Sequence, residues 1–124
     1  MSSASPPGRH WIVEFYGAHS LGDAQVIRRA LKKAASRSHA TLLKIQLHRF
    51  GVGGGVTGVA LLAESHISIH TWPERAYAAI DIFMCGRKCS PREALASLRA
   101  ELSPTRARVR RLLRRMPRQT ASLR

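Results

Sequence analysis

Apolar and polar positions change period several times along this chain, and each change marks an element. Trp11 to Tyr16 (WIVEFY) reads as a short strand. From Leu21 to Ser36, apolar Val26, Ile27, Ala30, Leu31 and Ala34 recur at helical spacing, while Arg28, Arg29, Lys32 and Lys33 occupy the other face. Thr41 to His48 (TLLKIQLH) is a strand. Phe50 and the stretch GVGGG follow as a loop, because so many glycines weaken any regular element. Val56 to Ala63, His66 to Trp72 and Ala76 to Cys85 are strands. Ser90-Pro91-Arg92-Glu93 is a capping box with proline at the first helical position. The helix it opens presents Ala94, Leu95, Leu98 and Leu102 inward. Ala107 to Leu113 fits a strand or a helix, since neither its alternation nor its arginine content decides. The expected fold is α+β, a two-layer sandwich of a mainly antiparallel sheet with two helices on one face.

With 124 residues, 44% of them hydrophobic, the chain is one domain's worth of folded protein rather than a disordered one. A single domain spanning 1–124 is expected, with 1–8 a loose N-terminal arm and 104–124 an Arg-rich tail. No apolar run approaches the ~20 residues of a membrane span, and MSSASPPGRH lacks the apolar segment of a secretory signal. Two cysteines, Cys85 and Cys89, make no disulfide framework, so a reduced cytoplasm is the expected compartment.

The net charge of +14 is unevenly spread, with eight Lys/Arg and no acid between Pro104 and Arg124. One reading is an arm or module for nucleic acid. Only seven aromatics occur in the chain and none in that tail, so base stacking has no support there. The tail is therefore read as a solvated terminus, with nucleic acid binding kept as the more distant alternative.

Chemistry concentrates at Leu62 to Glu74, LAESHISIHTWPE, where apolar Ile67 and Ile69 alternate with polar His66, Ser68 and His70. Zinc could take His66, His70, Cys85 and Cys89, but C-x3-C is not the tight knuckle spacing, and no metal is assigned. A hydrolase triad has less support: Ser65 sits in no G-x-S-x-G elbow, and Asp81 is the only nearby aspartate. Taken singly, the histidines read as hydrogen-bonded fillers and the cysteines as small hydrophobes.

The ordered set reads differently. LAESHISIHTWPE followed by YAAIDIFMCG closely resembles the prokaryotic, pyruvoyl-dependent S-adenosylmethionine decarboxylase proenzymes. GRHWIVEFYG and LHRF…GVTGV resemble that family too, so the likeness covers roughly residues 8 to 102. It implies self-cleavage between Glu64 and Ser65. Ser65 Oγ attacks the Glu64 carbonyl, turning the amide into an ester. Loss of the Ser65 α-proton expels the Glu64 carboxylate, and hydrolysis of the resulting dehydroalanine leaves a pyruvoyl group heading residues 65–124. That self-derived cofactor forms the Schiff base with substrate. The resemblance also makes His70 the proton-handling residue of maturation, Thr57 the hydroxyl that bonds the oxyanion and Cys85 the proton donor of turnover. It places Phe50, Trp72 and Glu74 around the adenine, sulfonium and ribose of the substrate. Strict alternation puts Ser65 and His70 on opposite faces, so a turn or bulge near Ser65 is expected.

The chain departs from the family at GVGGG, where a proline-containing loop is usual. Relatives on this scaffold act on ornithine or arginine, which stand as the alternative substrates. A dication, however, needs an acid close by, and this chain carries only seven. The expected activity is carbon dioxide release from S-adenosylmethionine, supplying the aminopropyl donor for spermidine. The resemblance further implies that chains 1–64 and 65–124 stay together and assemble as homodimers or larger.

Overall fold

The computed structural model describes residues 6–117. Six strands form one sheet: β1 (Gly8–Tyr16), β2 (Leu42–Arg49), β3 (Val56–Leu62), β4 (Ser65–Trp72), β5 (Tyr77–Met84) and β6 (Arg106–Arg114). Their order across the sheet is β2-β3-β4-β5-β1-β6, and every neighbouring pair is antiparallel. Two helices, α1 (Ala24–Arg37) and α2 (Pro91–Leu102), cover one face. This is the expected two-layer α+β sandwich.

Local signals start both helices. Asp23 caps α1 by accepting from the backbone N–H groups of Gln25 and Val26, and Ser90 caps α2 by accepting from Glu93 N. Ile27, Ala30, Leu31 and Ala34 of α1 and Ala94, Leu95, Leu98 and Leu102 of α2 are buried. They pack on alternate sheet residues, Val13, Phe15, Ile67, Ile69, Ile80, Ile82 and Met84, all but removed from water. Lys33 Nζ and Arg29 Nε of α1 reach Glu101 of α2 at 2.9 and 3.4 Å. Among the described residues, no helix is long and apolar enough to cross a membrane.

The other face has no helix over it. By strand alternation it carries His10, Glu14 and Tyr16 of β1, His66, Ser68, His70 and Trp72 of β4, and Tyr77, Asp81 and Phe83 of β5.

The segment that fitted either strand or helix is a strand. Ala107 and Val109 oppose Phe15 and Val13 of β1, and Arg111 lies 4.6 Å over the ring of Trp11. Part of the Arg-rich segment therefore builds a sheet edge, where charge discourages further strand pairing. At the other end, β1 begins at Gly8. Residues 1–5 of the expected arm and 118–124 of the expected tail lie outside the described residues.

Candidate active site

The residues singled out from the sequence form two groups at opposite ends of β4. The first surrounds Ser65. Strand β3 turns into β4 through Ala63 and Glu64, with Leu62 paired to Ser65. Glu64 takes the turn with φ of 61°, a left-handed conformation that glycine adopts freely and that costs a glutamate on the order of 1–3 kcal/mol. The strained residue is the one directly before Ser65. Ser65 Oγ accepts a hydrogen bond from Cys85 N at 3.1 Å. The turn after Cys85 is pinned by Arg9, whose Nη2 donates to Gly86 O at 2.8 Å and to Cys89 O at 2.5 Å. Partial burial pushes the Cys85 thiol above its ordinary value, and the charges of Glu64 and Cys89 push the same way. Cys85 is therefore a protonated thiol at neutral pH.

The second group lines a cleft of about 360 Å³ formed by Phe50, Gly55, Thr57, His70, Thr71, Trp72 and Glu74. Thr57 and His70 face each other across the β3–β4 pair, with Thr57 Oγ1 3.1 Å from His70 Nδ1. Phe50 and Trp72 are exposed, Phe50 edge-on to His48 and Trp72 tilted against Tyr77. Buried Thr71 Oγ1 accepts from Val56 N and donates to Leu21 O, both at 2.8 Å. The glycine loop closes on itself through Phe50 N–H to Gly55 O at 2.9 Å. A Cβ at Gly55 would lie 2.3 Å from Thr71 O, so the loop lies flat against β4 only with glycine there.

The expected turn near Ser65 exists, but it comes before Ser65 and leaves β4 regular. Ser65 keeps the face of Ile67 and Ile69, and His70 keeps the open face. Five residues of strand separate them, about 16 Å at ~3.3 Å per residue. One protomer therefore brings Ser65 to Cys85, and Thr57 and His70 to Phe50, Trp72 and Glu74, but not one group to the other. Nor do His66, His70, Cys85 and Cys89 converge: His66 bonds Asp81, His70 bonds Thr57, and no group of three metal-binding side chains occurs among the described residues.

Sequence reasoning weighed His66 and Asp81 singly but assembled neither of two polar clusters on the open face. Glu14 accepts from Tyr16 Oη at 2.9 Å and Tyr77 Oη at 3.0 Å, and these bonds hold its carboxyl below the usual range. Asp81 accepts from His10 Nε2 and His66 Nε2 at 2.5 and 2.8 Å. Their period-two placement on the strands was the available signal, but a single strand does not reveal which partner stands beside it.

A partly buried thiol beside a strained, serine-led strand, on an α+β sandwich with a half-open aromatic cleft, fits a small decarboxylase made as a proenzyme. The sequence profile described as S-adenosylmethionine decarboxylase matches residues 9–115. The S-adenosylmethionine decarboxylase proenzyme of Thermomicrobium roseum is 41% identical over 109 residues, covering 88% of this chain and 94% of that protein. The proenzyme of the same name from Synechococcus sp. (strain WH7803) is 48% identical over 118 residues, covering 94% and 91%. The crystal structure of the adenosylmethionine decarboxylase from Aquifex aeolicus VF5 superposes with a TM-score of 0.81 at 30% identity, over 97% of this chain and all of that one. The chain belongs to the S-adenosylmethionine decarboxylase family.

Proposed function

We propose that the chain cuts itself between Glu64 and Ser65, and that the residue-65 end then decarboxylates S-adenosylmethionine to supply an aminopropyl donor for spermidine synthesis. The observation that carries this reading is Ser65 at the head of β4, directly behind a glutamate held at φ of 61° and hydrogen-bonded by Cys85 N. Strain at Glu64 raises the energy of the amide that is to break, and the Cys85 N–H lies where it can hold an oxygen borne by residue 65.

A pyruvoyl group at residue 65 supplies a ketone that takes up the substrate amine and draws electrons as carbon dioxide leaves. Cys85 then holds the proton destined for the substrate α-carbon, and its raised thiol value keeps that proton in place at neutral pH. Trp72 and Phe50 offer flat surfaces for adenine and π faces for the sulfonium, and the Glu74 carboxylate accepts from ribose hydroxyls.

With His70 in the proton-handling role, the separation along β4 is bridged by a second copy. Two protomers meeting in an isologous pair would seat the Ser65–Cys85 end of each against the Thr57–His70 cleft of the other. His70 then serves proton transfer, and Thr57 the oxyanion, in the maturation of the facing copy. Exposed Leu61, Phe50 and Trp72 would be covered by the same contact. Residues 1–64 and 65–124 stay together after cleavage because β3 and β4 remain paired from Thr57–His70 to Leu62–Ser65.

Intact mass under denaturing conditions tests the reading. Wild type should resolve into chains of 64 and 60 residues (124 − 64 = 60), and Ser65→Ala should remain whole. Side-by-side release of labelled carbon dioxide from S-adenosylmethionine, ornithine and arginine checks the substrate. A wild type that stays whole overturns the processing reading, and release from ornithine or arginine alone overturns the substrate.

A further inference from the structure

Self-cleavage creates a mechanical problem on β4. Before the cut, Ser65 is held by the covalent turn from β3; afterwards residue 65 is a chain end, and strand ends fray. The pyruvoyl carbon must nevertheless be held closely, because a misplacement of about 1 Å at a reacting centre can cost on the order of 100-fold in rate. Backbone pairing with Leu62 is the last ladder contact at that end of β4.

The adjacent residue carries a side-chain anchor. His66 Nε2 donates to Asp81 Oδ2 at 2.8 Å, and its ring stacks on Phe83 at 5.8 Å and 27°. Asp81 and Phe83 belong to β5, an interior strand. Asp81 Oδ1 accepts from His10 Nε2 of β1 at 2.5 Å, and Arg114 Nη1 of β6 donates to His10 Nδ1 at 3.1 Å. Phe83 also meets the His10 ring edge-on at 5.5 Å. An arginine can only donate and a carboxylate can only accept, so in this arrangement the His10 ring donates from Nε2 and accepts at Nδ1. The chain Arg114–His10–Asp81–His66 thus ties the head of β4 across β5 and β1 to β6, through groups to which the reading above gives no role.

Resting on the proposed self-cleavage and decarboxylation, we infer that His66, held by Asp81, is the positioning residue that keeps the newly made N-terminus at residue 65 in place for turnover. Its contribution begins at cleavage. In the uncut chain the Ala63–Glu64 turn already fixes Ser65, and His66 touches neither Ser65 Oγ nor the cleft that binds substrate. Maturation and substrate affinity should therefore depend little on it, while the chemical step after maturation should depend on it strongly.

The test uses the full chain as wild type, His66→Ala, Asp81→Ala and His66→Gln. Self-cleavage is followed by denaturing mass, and kcat and KM are measured per cleaved chain with S-adenosylmethionine. Amide exchange at residues 66–68 of the cleaved protein is recorded independently of activity. His66→Ala and Asp81→Ala should cleave within about twofold of wild type and keep KM, lose about 10- to 100-fold in kcat, and exchange faster at those amides. His66→Gln, whose amide donor can occupy the place of Nε2, should recover most of the rate. Unchanged kcat in His66→Ala, cleavage slowed as much as turnover, or unchanged exchange would overturn the inference. A wild type that neither cleaves nor decarboxylates fails the proposed function itself, an outcome visible in the control before any variant is read.

Discussion

Ser65 and His70 lie on one uninterrupted strand, five residues and about 16 Å apart, with Ser65 on the helix-covered face and His70 on the open one. Within one protomer no rotamer of either side chain spans that distance. If His70 handles protons during maturation of Ser65, it does so for another copy.

Co-expression separates the two arrangements. Ser65→Ala and His70→Ala should each remain uncut alone. Expressed together with different tags, they form mixed pairs in which Ser65 of the His70→Ala chain meets the partner's His70. The His70→Ala chain should then be cut while the Ser65→Ala chain stays whole. If neither is cut in mixed pairs verified by native mass, the shared-site arrangement is wrong.

Cys85 should separate maturation from turnover. Cys85→Ala leaves Ser65, Glu64 and the His70 cleft intact, so it should cut itself yet lose about 100- to 10,000-fold in decarboxylation. Because burial and the nearby Glu64 and Cys89 raise the thiol, the donor form persists past the ordinary thiol value of ~8.5. The alkaline limb of kcat in wild type should therefore fall above that pH. A limb centred below it, or a fully active Cys85→Ala, would remove the thiol from the mechanism.

Acid stability should report Asp81. Partial burial raises its carboxyl, but the hydrogen bonds from His66 and His10 outweigh that and leave it below the ordinary value. A carboxylate depressed in the folded state stabilises above its unfolded pKa, and that stability is lost as pH falls through the folded value. Thermal unfolding of wild type should thus drop between about pH 5 and pH 2, and Asp81→Asn should flatten part of that drop. Parallel curves for the two proteins would deny the bonds their weight.

Gly55 gives a packing prediction. Gly55→Ala places a methyl 2.3 Å from Thr71 O, a backbone atom that cannot swing aside. The substitution should cost about 1–3 kcal/mol, measured by denaturant unfolding, and should raise KM by moving Phe50 at the cleft rim. Wild-type stability in Gly55→Ala would mean that the loop rests on β4 more loosely than this contact requires.

Sequence alone determined what depends on neighbours a few residues away. Period 3.6 in the helices, period two in the strands, the Ser90 cap and the glycine break after Phe50 are local, so each was legible, usually to within a few residues. ESHISIHTWPE was legible as a family signature through its resemblance to the S-adenosylmethionine decarboxylase proenzymes, the family to which the chain belongs. Tertiary structure decided whatever depends on register. Ala107 to Leu113 became a strand only because Phe15 and Val13 offered it a sheet edge to pair with. Arg114, His10, Asp81 and His66 are joined across separations of 104, 71 and 15 residues, which no periodicity encodes. That Ser65 and His70 are near in sequence yet stand apart in the fold follows from one fact of strand geometry: successive side chains point to opposite faces, and a regular strand keeps them there.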